Sequence, residues 1–152
     1  MNIRTSDVEL KHLLISWIAI SYAFTIADHG IGQLLSNPFR LLLPLIISLF
    51  TVGVGFLLHE MAHKVMAQRY GCWAEYRMDP MMLLFAVFLA TFAGVVFAAP
   101  GAVYIFSEYL TIKENGKISA SGPVTNLLLG GIFFAITLTS HGLLRSIGFS
   151  GM

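Results

Sequence analysis

Two histidines four residues apart, with a glutamate directly after the first (His59-Glu60-Met61-Ala62-His63), are the residues of this chain best suited to chemistry. On a helix, positions four apart lie on one face, so both imidazoles can turn toward one ion while Glu60 stands beside them without ligating. Neutral imidazoles in this arrangement hold Zn²⁺, a third protein donor completes the set, and a fourth position stays open to water. The ion brings that water's pKa toward neutrality and polarises a carbonyl; Glu60 takes the water's proton and passes it to the leaving amine. The same pattern also arises by chance in soluble helices. Here it lies in an apolar stretch, where two histidines and a glutamate are costly to bury unless they face a polar cavity and act there. The sequence therefore predicts a zinc site on His59 and His63, with Glu60 as catalytic base.

The elements that must position this group are apolar. Of 152 residues, 57% are hydrophobic and only 11% charged, against roughly a quarter charged in an ordinary soluble domain. The mean hydropathy of +0.79 points to lipid. A net charge of +1 without any block of like charges leaves no electrostatic footprint for nucleic acid. The single cysteine, Cys72, excludes an intrachain disulfide framework and reads as a packed thiol.

The first expected span is 10–27. It reads as retained rather than cleaved, because Asp7 and Glu9 dilute the basic n-region and no small-x-small site follows. Turn residues fill 28–40, and the second expected span is 41–69, with Pro44 tolerable in its first turns. Lys64, Gln68 and Arg69 place the end of that span at a membrane surface. Residues 72–80 read as a short polar connector whose residues suit an extended or interfacial segment. The third expected span, 122–144, opens on Gly122-Pro123, with the proline in the first turn where its missing N–H costs nothing. Between them, 81–99 is apolar and is closed by Pro100-Gly101, 102–112 is β-branched and aromatic like a strand, and 113–117 is a polar turn. The expected fold is a single all-α, multi-spanning membrane domain over 1–152. A short strand or re-entrant segment lies between the zinc helix and the Gly-Pro helix. The distribution of Arg4, Lys11, Lys64, Arg69 and Arg77 puts the N-terminus on the cytoplasmic side.

Two stretches, GFLLHEMAHKVMAQRYG and SASGPVTNLLLG, resemble the site-2 protease family of intramembrane zinc metalloproteases in their order and apolar setting. The resemblance covers residues 41 to 145. It implies Zn²⁺ on His59 and His63, Glu60 as base, and Asn126 of the G-P-x-x-N pattern as a donor to the developing oxyanion, although a helix-to-helix hydrogen bond is the other reading of Asn126. The substrate it implies is the transmembrane segment of a membrane protein in the bilayer. That segment must unwind locally, because a spanning helix bonds all its amides internally. An edge strand within 102–112 would then hold it by strand addition. Hydropathy alone makes 81–99 a full crossing, whereas the resemblance implies that 81–112 dips in and returns. The family's third ligand is an aspartate in an L-D-G-type motif on a later helix. No aspartate follows Asn126, so the chain is expected to be C-terminally truncated or completed otherwise, with an incomplete site of its own.

Asp79, the nearest carboxylate after the histidines, is a candidate substitute ligand, but an aspartate before Pro80 reads better as turn chemistry. His141 reads as interfacial, the Met and Phe residues of 81–97 as packing or lipid-facing surface, and Gly53, Gly55, Gly130 and Gly131 as marks of close helix approach or of a widened cavity, with packing the favoured reading. Three functions compete: an intramembrane zinc endopeptidase, a catalytically inactive membrane scaffold or binding homologue, and a metal transporter. The transporter is disfavoured because the polar residues cluster on one helix. Glu60, which binding alone would not require, favours the endopeptidase.

Overall fold

A computed structural model describes residues 4–97, 99–107 and 109–149, with side chains through residue 139. The Ser6 hydroxyl accepts from the Glu9 amide at 3.2 Å and caps α1, Asp7–His29. Gly30, at φ 79°, ends it. A short α2, Ile31–Ser36, and a 3₁₀ turn, Pro38–Leu41, lead into α3, Leu42–Ser48; a π turn, Leu49–Gly53, then joins α3 to α4, Val54–Arg69. The second expected span is thus one helical rod with a wide turn in it. Among the described residues, three stretches are helical, long and apolar enough to cross a membrane: Asp7–His29, Pro38–Arg69 and Ile112–Thr139.

Residues 72–80 differ from the connector the sequence predicts. Gly71, at φ 76°, turns the chain into strand β1, Trp73–Met78, which pairs antiparallel with β2, Gly101–Phe106. The polar side chains of β1 bond largely within the fold: Arg77 donates to Glu75 at 2.8 Å, and Ser6 bonds the same carboxylate, although Arg77 Nη1 is buried without a partner among the described residues. On the sheet face, the Trp73 ring packs against Phe106, its register partner, at 5.3 Å.

Between the strands, Asp79 caps α5, Pro80–Ala93, by accepting from the Met81 and Met82 amides at 2.9 and 3.0 Å, with Pro80 in the first turn. Its 14 residues reach only ~21 Å along α1 at ~1.5 Å per residue, short of a ~30 Å hydrocarbon core. The chain turns at Gly94, φ 65°, and comes back, so that the Asp79 amide donates to the Pro100 carbonyl at 2.8 Å.

The expected strand over 102–112 is shorter than predicted and the last helix longer. The Thr111 hydroxyl accepts from the Glu114 amide at 3.2 Å while the Glu114 carboxylate accepts from the Thr111 amide at 2.9 Å. This reciprocal capping box starts α6 at Ile112, and α6 runs to Phe149. Gly122-Pro123 therefore lies inside a helix rather than at its start, and Pro123 leaves the Ser119 carbonyl without its helical donor. Antiparallel to α4, α6 packs closely along it.

Apolar cores are small. Ala23, Ile26, Leu41 and Ala90 form one, and Ala67, Cys72, Ala74 and Ile118 the other, which buries the lone thiol as expected. The polar interior is the larger surprise. Lys64 is not solvated: it and Glu9 are both 0% exposed and bonded to each other. The Lys64 ammonium also donates to the Thr5 hydroxyl at 2.9 Å, and the second Glu9 oxygen accepts from the Tyr76 amide at 3.0 Å. Tyr76 donates its hydroxyl to Ser16 at 2.9 Å, and burial pushes that phenol up to about 12, so it stays a neutral donor. These bonds lock the start of α1, the end of α4 and β1 into one unit.

Candidate active site

On α4, Glu60, Lys64 and Ala67 are buried, whereas His59 and His63 face α6. The Lys64–Glu9 bond thereby fixes the helix's rotation, and this rotation presents the histidines to their partner helix. His63 Nδ1 donates to the Ile118 carbonyl at 2.7 Å, which leaves Nε2 as the ring's lone pair. The Ser121 hydroxyl, 3.4 Å from the same Nδ1, also donates to Ile118 at 2.6 Å. One turn away, His59 Nε2 stands 3.1 Å from His63 Nε2.

Asn126 on α6 reaches the far side of His59, its amide 3.0 Å from Nδ1. With the amide nitrogen toward the ring, Nδ1 accepts and Nε2 carries the proton shared with His63. With the amide oxygen turned to the ring, Nδ1 donates and both Nε2 lone pairs are free to converge.

The arrangement fits a zinc ion. Two Zn–N bonds of ~2.0–2.1 Å at a tetrahedral angle separate the nitrogens by ~3.3 Å, close to the 3.1 Å found. Gly122 supplies the room. A Cβ there would press on His63 Nε2 and lie 2.6 Å from His59 Nε2, in the space an ion shared by both rings needs. Sequence reasoning took this glycine for a helix-start signal and missed its role in the site; its spacing of four from Asn126 on the same helix was the available clue. Outer contacts from Ile118 and Asn126 would fix the orientation of both rings.

Among the described residues, no three His, Cys, Asp or Glu side chains converge. Asp79 is engaged as the cap of α5 and does not join the histidines. The side chain of His141 lies outside the described residues.

Glu60 lines two cavities that meet at the histidines. One, of about 330 Å³, lies between β2 and α6 and touches His63, Val103, Ile118 and Ser119. The other, of about 480 Å³, extends from His59 and Asn126 between α1, α4 and α6. A carboxylate placed at the junction can exchange protons with a water in either.

No family profile matches the chain. Nor does any solved structure. Over 135 residues, 89% of its length, the chain is 41% identical to a protein of Methanocaldococcus jannaschii provisionally named a zinc metalloprotease, and it covers 65% of that protein's length.

Proposed function

We propose that this chain carries the zinc-binding half of an intramembrane metalloprotease of the site-2 type. The observation that supports this most is the convergence of the His59 and His63 Nε2 atoms at 3.1 Å over Gly122, with Glu60 beside them at the junction of two cavities. The provisional name of the archaeal relative agrees with it.

His59 and His63 would hold Zn²⁺, and the described residues supply no third ligand beside them. The ion supplies Lewis acidity and a water acidified toward neutral pH. Glu60 accepts that water's proton and returns it to the departing amine, so the peptide bond is hydrolysed with no net change in the carboxyl group. Asn126 holds His59 by Nδ1 and lies close enough to the pair to face the substrate carbonyl as well.

The substrate is a transmembrane segment of another membrane protein. Three long apolar helices surround the site, and most of the apolar surface of α6 points outward, as suits lipid. The β1–α5–β2 excursion enters and leaves on one membrane face, the cytoplasmic one that also holds the N-terminus. Strand β2 has β1 on one edge only, and its side chains border the cavity that holds His63. An unwound substrate adding to the free edge would deliver its carbonyl to the histidines.

The test is Glu60→Gln in proteoliposomes with a membrane-spanning peptide. The wild-type chain, with its completing segment, should retain zinc and cleave. The variant should retain zinc and lose at least ~100-fold in rate, the usual share of a general base. Full activity in the variant removes Glu60 as base. Zinc binding without cleavage in any form of the protein favours the inactive scaffold instead.

A further inference from the structure

We infer that the 480 Å³ cavity beside His59 is a side-chain subsite that selects a large apolar residue next to the bond to be cut. The inference rests on the peptidase reading and gives it a specificity. At its inner end the cavity is polar, with His59, Glu60 and Asn126, and elsewhere it is walled by Phe24, Phe56 and Phe133. A chamber whose charged and imidazole groups sit at the reacting end, and whose far wall is apolar apart from Thr51, is what a peptide needs there: its carbonyl at the metal side and a hydrocarbon side chain beyond.

Two absent side chains open the chamber. Gly55 precedes His59 by one turn on the same face of α4, and Gly130 follows Asn126 by one turn on the same face of α6. A Cβ on either would meet nothing within 4 Å, so neither glycine is needed for helix contact. The close-packing role expected for both from sequence thus finds no neighbour to support it. Glycine weakens a helix interior relative to alanine, and what its use secures here is the volume of the chamber. Gly131, next in sequence and equally unobstructed, does not line the cavity.

The occupant follows from the second cavity, which shares Glu60 with this one and lies against His63 and β2. An extended peptide along β2 reaches the histidines through the smaller space, and successive side chains of a strand point to opposite sides. One residue adjacent to the scissile carbonyl therefore projects into the phenylalanine-walled chamber. Its volume accommodates Phe or Leu with room to spare, and a side chain of that length reaches the phenylalanine walls, whereas the methyl group of Ala does not.

The test uses the full chain in phosphatidylcholine vesicles with synthetic membrane-spanning peptides. A benzophenone-bearing residue is moved one position at a time through each peptide. Crosslinks to α4 or α6 should concentrate at one or two adjacent peptide positions, fall at least tenfold in Gly130→Leu and in Gly55→Leu, and persist in Gly131→Leu. In cleavage, Phe at that position should outrun Ala by ten- to a hundredfold, a span within reach of hydrophobic pockets, and Gly130→Leu should reverse the preference. Crosslinks spread evenly along the peptide, captured by lipid alone, absent, or indifferent to Gly130→Leu overturn the subsite. Equal cleavage of the Phe and Ala peptides does so too, leaving the peptidase intact. Focused crosslinks lost in Gly130→Leu without any cleavage overturn the peptidase reading and leave an apolar peptide-binding site.

Discussion

The indole Nε1 of Trp17 donates to the carbonyl oxygen of Leu49 at 3.0 Å, joining α1 to the first residue of the π turn. At the other end of that turn, Gly53 lies so close to the Trp17 ring that a Cβ would collide with it. A π turn inserts about one residue, and each residue rotates a helix by ~100°. The face that α4 offers to α6, and with it the direction of His59 and His63, thus depends on a hydrogen bond made well away from both histidines.

Trp17→Phe keeps the ring but removes the donor. A bond worth ~1 kcal/mol, if it is spent in holding the turn, lowers affinity for zinc about fivefold. Cobalt substitution followed by visible spectroscopy measures both affinity and geometry. An unchanged spectrum and affinity would mean that packing of α4 alone sets the turn.

Gly122→Ala puts a methyl group where the two Nε2 atoms converge. Zinc affinity should fall by at least ~100-fold, because moving both ligand rings costs more than the loss of one outer contact. Gly116→Ala on the same helix has open space around it and should bind zinc as the wild type does. Isothermal titration of the two variants side by side separates the site from a general effect on α6.

For Asn126 the two roles give different numbers. As the residue that orients His59, its replacement by alanine should weaken zinc binding by ~10–100-fold. A variant with unchanged zinc affinity and a kcat lower by ~100-fold would instead mark an oxyanion donor that acts only in the transition state.

The excursion between the strands makes a topological prediction. With Cys72 replaced by alanine, single cysteines at Glu75 and Asn115 should react with a membrane-impermeant maleimide from one and the same side. Labelling from opposite sides would make Pro80–Ala93 part of a complete crossing and sink the re-entrant description.

The site was legible in sequence where it is local. The spacing of His59 and His63 fixed their shared face, because helical periodicity alone carries that relation, whereas Asn126 was singled out only through the G-P-x-x-N pattern of the family resemblance. The start of α6 was legible but misread. The pattern Thr111-x-x-Glu114 is a capping box, yet Gly122-Pro123 is a louder signal for a helix start and won the assignment. The extended character of β1 was legible, but its pairing with β2 was not, since Glu75 and Arg77 resemble a solvated connector until their bonds inside the fold are known. Nor was the union of Lys64 with Glu9, distant in sequence and recognisable only once α1 lies against α4.

That buried pair also constrains how the protein can be made. Glu9 on α1 and Lys64 on α4 each carry a charge that an isolated helix entering lipid would bear uncompensated. Neutralisation comes only when the two helices meet. Were the chain inserted into a bilayer as proposed, the smallest piece able to settle there without a bare charge would be α1 together with the helical rod that ends in α4, and α1 would have to wait for residue 64 to be synthesised.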